Sequence, residues 1–254
     1  MASVRVIQLS APLRWLALAW RDLMAAPLQC LSYGAAVALM SFGLWRALID
    51  SNLAFWALTL SCGFVFVAPM LAMGLYEAGR AIGAGQRPRL SQMIVVRGAR
   101  RADIFYLGLA LLMIYLFWGR VAQIVYGLST YRLHTTVHAF VDFALQTQEG
   151  HSMLIAGTIT GGAMAFFTYA LVVISTPMLL DQGTNVFAAV FTSLQAVSKN
   201  FMPLLFWALL IAASLIFCAA TSWLALTVVF PWLGLATWRA YRDLVPHGRA
   251  DAST

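Results

Sequence analysis

Charged side chains are scarce in this sequence. They make up 10% of the 254 residues, whereas apolar residues make up 62%. A soluble domain usually has about 25% charged and about 45–50% apolar residues. Because so few charges cannot cover a surface that faces water, most of the outer surface is expected to face lipid. The sequence predicts one all-α, multi-pass membrane domain over residues 1–254.

Histidine and cysteine are scarce as well. None of the four histidines lies inside a long apolar run, which argues against a haem oxidase core, since that needs several histidines at membrane depth. An accessory or assembly role beside an oxidase stays open. The odd number of cysteines and the absence of a CxxC pair favour small buried side chains over a redox or metal motif. These residues are His134, His138, His151, His247, Cys30, Cys62 and Cys218.

The apolar runs also lack carboxylates, histidines and lysines near their centres. A proton-driven transporter usually needs at least one such group. A facilitator that uses backbone carbonyls or hydroxyls is still compatible with the sequence. The hydroxyls concerned are Ser61, Thr158, Thr160, Ser175 and Thr176.

Motifs for catalysis and cofactor binding are missing. The sequence has no P-loop, dinucleotide fingerprint or HExxH, and no serine paired with a histidine at membrane depth. We therefore expect no enzyme activity and no cofactor, and a membrane enzyme ranks third among the functions considered.

Long apolar runs predict six transmembrane helices, since about 20 apolar residues cross the hydrocarbon core. The last run, 201–238, has 38 residues without a charge and would be about 57 Å long as one helix. Because basic residues flank it on both sides, we divide it near 218–222. The predicted spans are 32–49, 53–76, 104–121, 152–180, 202–219 and 222–238.

The distribution of basic residues predicts the orientation. With six spans, thirteen of the sixteen Lys and Arg residues fall on the side of both termini, and only Arg46, Arg120 and Arg132 fall on the other. Basic residues favour the cytoplasmic side. Both termini are therefore expected to be cytoplasmic, in a bacterial inner membrane.

Amphipathic segments lie between the spans. In "PLRWLALAWRDLMAAP" (12–27) helical spacing aligns Leu13, Leu16, Trp20, Leu23 and Met24, with Arg14, Arg21 and Asp22 opposite. Segments 185–200 and 89–101 repeat this character, and 124–150 carries a further apolar stripe. Such segments are typical of interfacial helices that bind apolar and anionic parts of the membrane surface.

A similar sequence pattern recurs three times, as "FVFVAPMLAMGLYEAGRAI" (64–82), "LVVISTPMLLDQG" (171–183) and "LTVVFPWLGLATWRAYRDL" (226–244). Each copy is an apolar run with a proline, followed by a first charge. The recurrence suggests three hairpins, each formed by an amphipathic segment, a span outward and a returning span that proline bends. The bend is expected to tuck each returning span under the next amphipathic segment.

One arrangement suggests a metal site. His134, His138 and Asp142 in "HTTVHAFVD" are spaced i, i+4 and i+8, which would align them along one side of a helix. Imidazole and carboxylate groups can share zinc or copper. The alternative interpretation is a solvated polar face that happens to contain histidines.

Two further groups of residues suggest contacts. A basic loop is expected to bind anionic lipid or an acidic partner, unless its charges serve only to set topology; nucleic acid is not expected so close to a membrane. Gly157, Gly161 and Ala165 share a helical face, which favours close helix packing within the bundle over a homodimer contact. The residues of the basic loop are Arg87, Arg89, Arg97, Arg100 and Arg101.

The chain resembles a bacterial family of uncharacterised integral membrane proteins. The resemblance rests on "PLRWLALAWRDLMAAP", "APMLAMGLYEAGRAIGAGQRPRL" and "FPWLGLATWRAYRDLV", and it implies a six-span inner-membrane protein of unestablished activity. More distantly, the triplicated hairpin looks like the membrane domains attached to some glycerophosphodiester phosphodiesterases. No catalytic domain is recognised in this sequence, so that activity is not carried across.

Together these features predict a non-catalytic membrane protein that binds lipid or a membrane-protein partner, as a scaffold, accessory subunit or assembly factor. Its expected partners are anionic lipids, a second membrane protein or further copies of itself. The alternative is a permease or facilitator for an uncharged or amphipathic solute. A polar cavity at the bilayer midplane would favour the alternative, and a dry, tightly packed core the first interpretation.

Overall fold

A computed structural model describes residues 4–94, 101–130, 134 and 136–246, with all of their side chains except that of Arg101. Regular structure in these residues is entirely helical, which confirms the all-α prediction. The helices are α1 (Ala11–Ala25), α2 (Pro27–Asp50), α3 (Ala54–Leu71), α4 (Met73–Gly83), α5 (Leu90–Ile94), α6 (Arg101–Ser129), α7 (Val137–Gln146), α8 (Gln148–Val172), α9 (Ser175–Gln182), α10 (Val186–Lys199), α11 (Phe201–Ala220) and α12 (Leu226–Leu244).

Five helical stretches in the described residues are long and apolar enough to cross a membrane. They are α2, α3, most of α6, the stretch Gln148–Gln182 that contains α8 and α9, and α11. The predicted sixth span, 222–238, forms the first part of α12, whose helical residues 226–238 would be about 20 Å long. That is shorter than the roughly 30 Å hydrocarbon core. A count of six crossings is therefore not confirmed.

The long apolar run 201–238 is divided by a turn at 221–225. Ser222 and Trp223 have φ values of 52° and 69°, in the left-handed region. The Trp223 N–H bonds back to the Cys218 carbonyl at 2.7 Å, which satisfies an acceptor at the end of α11. The two helices are thus separate elements joined by a tight turn.

The chain forms three structural units, each with a short amphipathic helix, a long helix and a returning helix. Unit 1 is α1–α4, unit 2 is α5–α9 and unit 3 is α10–α12. Helix α5 packs on α4 of the unit before it, and α10 packs on α8 and α9 of the unit before it. Helix α1 packs on α12, so the first unit closes on the last and the three units form a ring.

The ends of the three returning helices meet at the centre of this ring. Helix α4 contacts both α9 and α12, and α9 contacts α12. Leu75, Leu179 and Leu235, one from each helix, have no solvent exposure. The three recurring sequence stretches therefore form the core around which the units close.

The prolines of the recurring stretches have different local effects. Pro69 lies in the last turn of α3, before the break at Ala72, and Pro177 lies in the first turn of α9, after the break at 173–174. Helix α12 continues through Pro231. A break near proline is thus found in the first two copies and not in the third.

The buried face of α1 differs from the stripe that the sequence suggests. Trp15, Ala19 and Asp22 are buried, whereas Leu13 and Trp20 are about half exposed. Asp22 lies opposite the large apolar side chains, as the sequence predicts, but this side of α1 is the one that packs in the bundle. The reason is that α1 packs on α12 through small residues, and a partner on α12 neutralises Asp22.

A small second core closes the opposite end of the bundle. Helix α7 buries Phe140, Phe143 and Ala144 against Ala54 and Met153. The apolar stripe predicted within 124–150 also includes Leu133, which lies outside the described residues.

Candidate functional site

The most deeply buried charge among the described residues, Asp22, forms an ion pair between α1 and α12. Arg239 donates from Nε to Asp22 Oδ2 at 2.7 Å and from Nη2 to Oδ1 at 2.6 Å. The Asp22 side chain is 8% exposed and that of Arg239 is 33% exposed. The hydrogen bonds from Asp22 raise the pKa of Arg239, although burial of the guanidinium opposes them. This two-point geometry fixes the angle at which α1 meets α12.

Two more side chains from the end of α12 attach it to its neighbours. Asp243 accepts hydrogen bonds from Arg14 and from the Trp15 indole, the latter at 3.0 Å. The Tyr241 hydroxyl donates to Asp181 Oδ2 on α9 at 2.8 Å. Burial, and next the charge of Asp181, raise the pKa of Tyr241. The phenol therefore stays protonated and able to donate.

Asn200 joins the N-terminal segment to this cluster. Its amide accepts from the Ile7 N–H at 2.8 Å and donates to the Arg5 carbonyl at 3.0 Å. The Arg5 N–H in turn donates to the Leu244 carbonyl at 3.0 Å. The chain before α1 is thus held between α10 and the end of α12.

We call Arg14, Asp22, Asp181, Arg239, Tyr241 and Asp243 the closure cluster, because they join α1, α9 and α12. The hydrogen bonds above pair each of them with another member. Groups that neutralise one another in this way stabilise an interface and hold no charge ready for a reaction. The arrangement is suited to structural closure.

Hydroxyl groups at membrane depth bond mainly to their own helices. Ser175 donates to the Leu171 carbonyl at 2.6 Å, and Thr160 donates to the Ala156 carbonyl at 2.7 Å. Such bonds to the preceding turn leave little donor capacity for a solute. Thr158 is exposed on α8. These hydroxyls do not line one continuous polar path.

Three cavities at membrane depth are lined mostly by apolar side chains. One of about 200 Å³ lies between α2 and α3 and includes Ser41 and Ser61. One of about 140 Å³ lies between α3, α6 and α8. A third of about 110 Å³, the central cavity, lies where α3, α8, α11 and α12 meet. The packing of the apolar interior therefore leaves room for small apolar groups.

The predicted basic site is only partly described. Arg87 and Arg89 are exposed between α4 and α5. Arg97 and Arg100 lie outside the described residues, and Arg101 begins α6 with its side chain not described. Arg80, one turn after Glu77 on α4, lies 2.8 Å from both carboxylate oxygens of Glu77.

The predicted metal ligands do not share a helical side, because α7 begins only at Val137. His138 Nδ1 lies 2.8 Å from Asp142 Oδ2. His134 lies before the helix, where its Nδ1 is 2.9 Å from the Tyr126 hydroxyl and its ring stacks on Phe143. Across the part of the chain that the structure describes, no three His, Cys, Asp or Glu side chains are grouped to hold a metal.

The predicted small-residue face makes one close contact. A Cβ on Gly161 would lie 2.8 Å from the Trp118 ring of α6, whereas a Cβ on Gly157 would meet nothing within 4 Å. Ala165 is half-buried. Gly161 therefore serves packing within the bundle.

Sequence reasoning alone misses the Asp22–Arg239 pair, because the large apolar side chains of α1 lie on the opposite side of the helix. The available signal is the line of Trp15, Ala19 and Asp22, which recur at helical spacing on the face that is buried. Small residues on that face permit close approach, and this feature separates it from the larger apolar stripe beside it.

One known protein family matches the middle of the chain. The model of a family described as "Predicted integral membrane protein (DUF2189)" matches residues 57–181, just under half of the chain. The chain matches this uncharacterised membrane-protein family. The DUF2189 segment runs from α3 to Asp181 in α9, so it contains most of unit 2 and the returning helices of unit 1. No curated protein and no solved structure matches the chain.

The match to DUF2189 confirms the predicted resemblance to an uncharacterised family of integral membrane proteins. Its description states a membrane protein and gives neither an activity nor a number of spans.

Proposed function

We propose that the protein is a non-catalytic integral membrane protein that binds lipid or a membrane-protein partner, as a scaffold, accessory subunit or assembly factor. The observation that carries the proposal is the closure cluster. Its acidic and basic side chains form hydrogen bonds and ion pairs that hold α1, α9 and α12 together. A framework closed in this way presents its outer apolar and basic surfaces for binding.

Two surfaces support binding at the membrane. A groove of about 800 Å³ between α6 and α10 has apolar walls, and Phe187 at its edge is 84% exposed. Arg87 and Arg89 are exposed beyond α4. Apolar surface and exposed arginine on one protein suit binding of phospholipids with anionic head groups. A second membrane protein or a second copy of the chain are the other partners proposed.

The proposed location is a bacterial inner membrane with both termini on the cytoplasmic side. The bias of thirteen basic residues against three supports it, and so does the position of Arg14 and Arg239 at one end of the ring.

The test is native mass spectrometry of the intact assembly after mild extraction from its own membranes. We expect lipid or one protein partner to be retained in a fixed ratio. The result against the proposal is a bare chain under conditions in which a control membrane protein keeps its lipids.

A permease or facilitator for an uncharged or amphipathic solute is the second candidate. The observation that favours it is the presence of hydroxyls in the lining of two membrane-depth cavities, those of Ser41, Ser61 and Thr158. If solute crosses along these hydroxyls, flux into proteoliposomes changes when Thr158 or Ser175 is replaced by Val. Ser214→Val on α11, whose hydroxyl bonds to the Leu210 carbonyl, is the matched control. Equal flux in all three variants, or none with neutral solutes, would remove this candidate.

A further inference from the structure

The central cavity narrows from a half-exposed rim to a buried floor. Val65, Ile211 and Leu215 at the rim come from α3 and α11 and are half-exposed. The buried residues of the floor come from the returning segments of all three units. They are Ala72, Tyr76, Val172, Val173, Phe230, Leu233, Gly234 and Thr237.

The floor coincides with the breaks in two returning segments. Ala72 separates α3 from α4, and Val173 lies between α8 and α9. The cavity therefore occupies the centre of the ring, where the repeated stretches meet and their helices change direction.

Tyr76 contributes a polar side chain to this floor. Tyr76 is 3% exposed and lines the cavity, and none of the described residues forms a hydrogen bond with its hydroxyl. By contrast, the Tyr169 hydroxyl donates to the Leu204 carbonyl, and Thr237 donates to the Leu233 carbonyl. A hydroxyl on a buried residue that lacks a protein partner favours a ligand that bonds to it.

A backbone acceptor accompanies this donor. Pro69 has no N–H, so the Val65 carbonyl one turn earlier loses its normal helical donor. Both residues line the central cavity. The cavity thus combines apolar walls with a phenol, and the residue whose carbonyl lacks its helical donor is part of its lining.

The lining residues include no Asp, Glu, Lys, Arg or His. A charged group would lie there without a counter-ion, at a high free-energy cost in a medium without water. The volume of about 110 Å³ is enough for a few chain atoms or a small ring, given that an apolar cavity of about 150 Å³ can hold benzene.

We propose that the central cavity binds the end of an uncharged, lipid-soluble molecule that bears a hydroxyl or carbonyl group. That group bonds to the Tyr76 hydroxyl, and the apolar remainder leaves past Val65, Ile211 and Leu215 into the bilayer. The proposal rests on the lipid-binding part of the proposed function and names its site and ligand class.

The probe is hexadecanol with a diazirine beside its hydroxyl group, added to the full chain in vesicles of phosphatidylethanolamine and phosphatidylglycerol. After illumination, peptide mapping locates the modified residues. We expect saturable labelling of peptides that contain Val65, Ala68 or Leu233, and competition by unlabelled hexadecanol.

Three variants separate the parts of the site. Tyr76→Phe removes the hydroxyl alone and should lower cavity labelling about fivefold. Ile211→Phe fills the half-exposed rim and should abolish labelling. Tyr106→Phe is the control for lipid bound elsewhere, because this exposed tyrosine lines the α6–α10 groove and not the central cavity; it should leave labelling of the cavity peptides unchanged. Each variant is compared with the wild type by thermal unfolding, so that lost labelling is not mistaken for lost folding.

The inference is overturned if labelling is unsaturable and spread over lipid-facing residues, or if Tyr76→Phe and Tyr106→Phe label alike. If native mass spectrometry still finds bound lipid or partner, the proposed function stands without this site. If it finds neither, both are rejected.

Discussion

Gly161 is the residue at which α8 comes closest to α6, because its missing side chain leaves space for the Trp118 ring. The same indole donates from Nε1 to the Thr59 carbonyl of α3 at 3.0 Å. One tryptophan thus links α3, α6 and α8 at membrane depth. Without a hydrophobic force between helices in lipid, such close contacts supply much of the association energy.

The variant Gly161→Ala is therefore expected to destabilise the protein, by about 1–3 kcal/mol, because the Trp118 ring must move. Gly157→Ala one turn earlier is the matched control, and its Cβ enters open space. The measurement is thermal unfolding of both variants in one detergent. Equal stability of the two would show that Gly161 is not a packing contact.

For individual residues, the sequence predicts which positions make contacts better than it predicts the partners of those contacts. The spacing of Gly157, Gly161 and Ala165 indicates a small-residue face, yet only Gly161 meets a large side chain. The position of Trp118, 43 residues away on α6, decides which of them does. His134 shows the same limit, because the start of α7 at Val137 removes it from the helix.

Among the described helices, α12 makes the most extensive contacts. It packs on α1, α2 and α4, and its last two turns carry Arg239, Tyr241 and Asp243. Gly34 of α2 allows the closest approach, since a Cβ there would lie 2.3 Å from the Thr227 carbonyl. The charged end of α12 is therefore part of the folded core.

The Tyr241–Asp181 bond gives the α9–α12 contact a predicted pH dependence. The folded protein holds the pKa of Tyr241 above its usual value of 10.0, whereas the unfolded chain loses the phenol proton near that value. The stabilisation is fully present below pH 10 and declines as the pH rises above it.

The variant Tyr241→Phe should lower the free energy of unfolding by about 1.5–3 kcal/mol near neutral pH, because Asp181 loses this donor. Its stability should also fall less steeply above about pH 10 than that of the wild type. Unfolding is measured across this range, with the exposed Tyr106→Phe as control. Parallel pH curves for wild type and Tyr241→Phe would contradict the assignment.

The amphipathic helices show why burial could be predicted only in part. In α1 the buried face contains Ala19, and in α10 it contains Ala189 and Ala196, all with no exposure. The larger apolar side chains beside them, such as Trp20 and Phe191, are more than 40% exposed. In a membrane both faces of such a helix are stabilised. Small residues allow a second helix to pack closely, and large apolar residues contact lipid. Hydrophobic spacing alone therefore identifies the helix and not the face that packs.

For the whole molecule, the recurring sequence stretches account for the architecture. Their similarity predicts three hairpins with returning segments tucked under the next amphipathic helix, and α5 on α4 and α10 on α9 follow that rule. The closure of α1 on α12 is the third case, between the two ends of the chain. Sequence order does not specify it, because it depends on how three units fit around one centre.

The orientation of the molecule can be tested with single cysteines in a variant whose three native cysteines are replaced by alanine. Ser51→Cys, in the exposed turn after α2, should react with a membrane-impermeant maleimide on intact spheroplasts. Gln86→Cys, in the exposed segment after α4, should react only after permeabilisation. The opposite labelling pattern would place the termini outside.

The closure of the ring is tested most directly by a charge-reversal cycle on Asp22 and Arg239. Each single variant, Asp22→Arg or Arg239→Asp, should lower the free energy of unfolding in detergent, because it places two like charges at a half-buried contact. The double variant should recover about 1–3 kcal/mol of the summed loss. Reversal of the exposed Arg46–Asp50 pair is the control and should change little. A double variant as unstable as the sum of the singles would show that α1 does not close on α12.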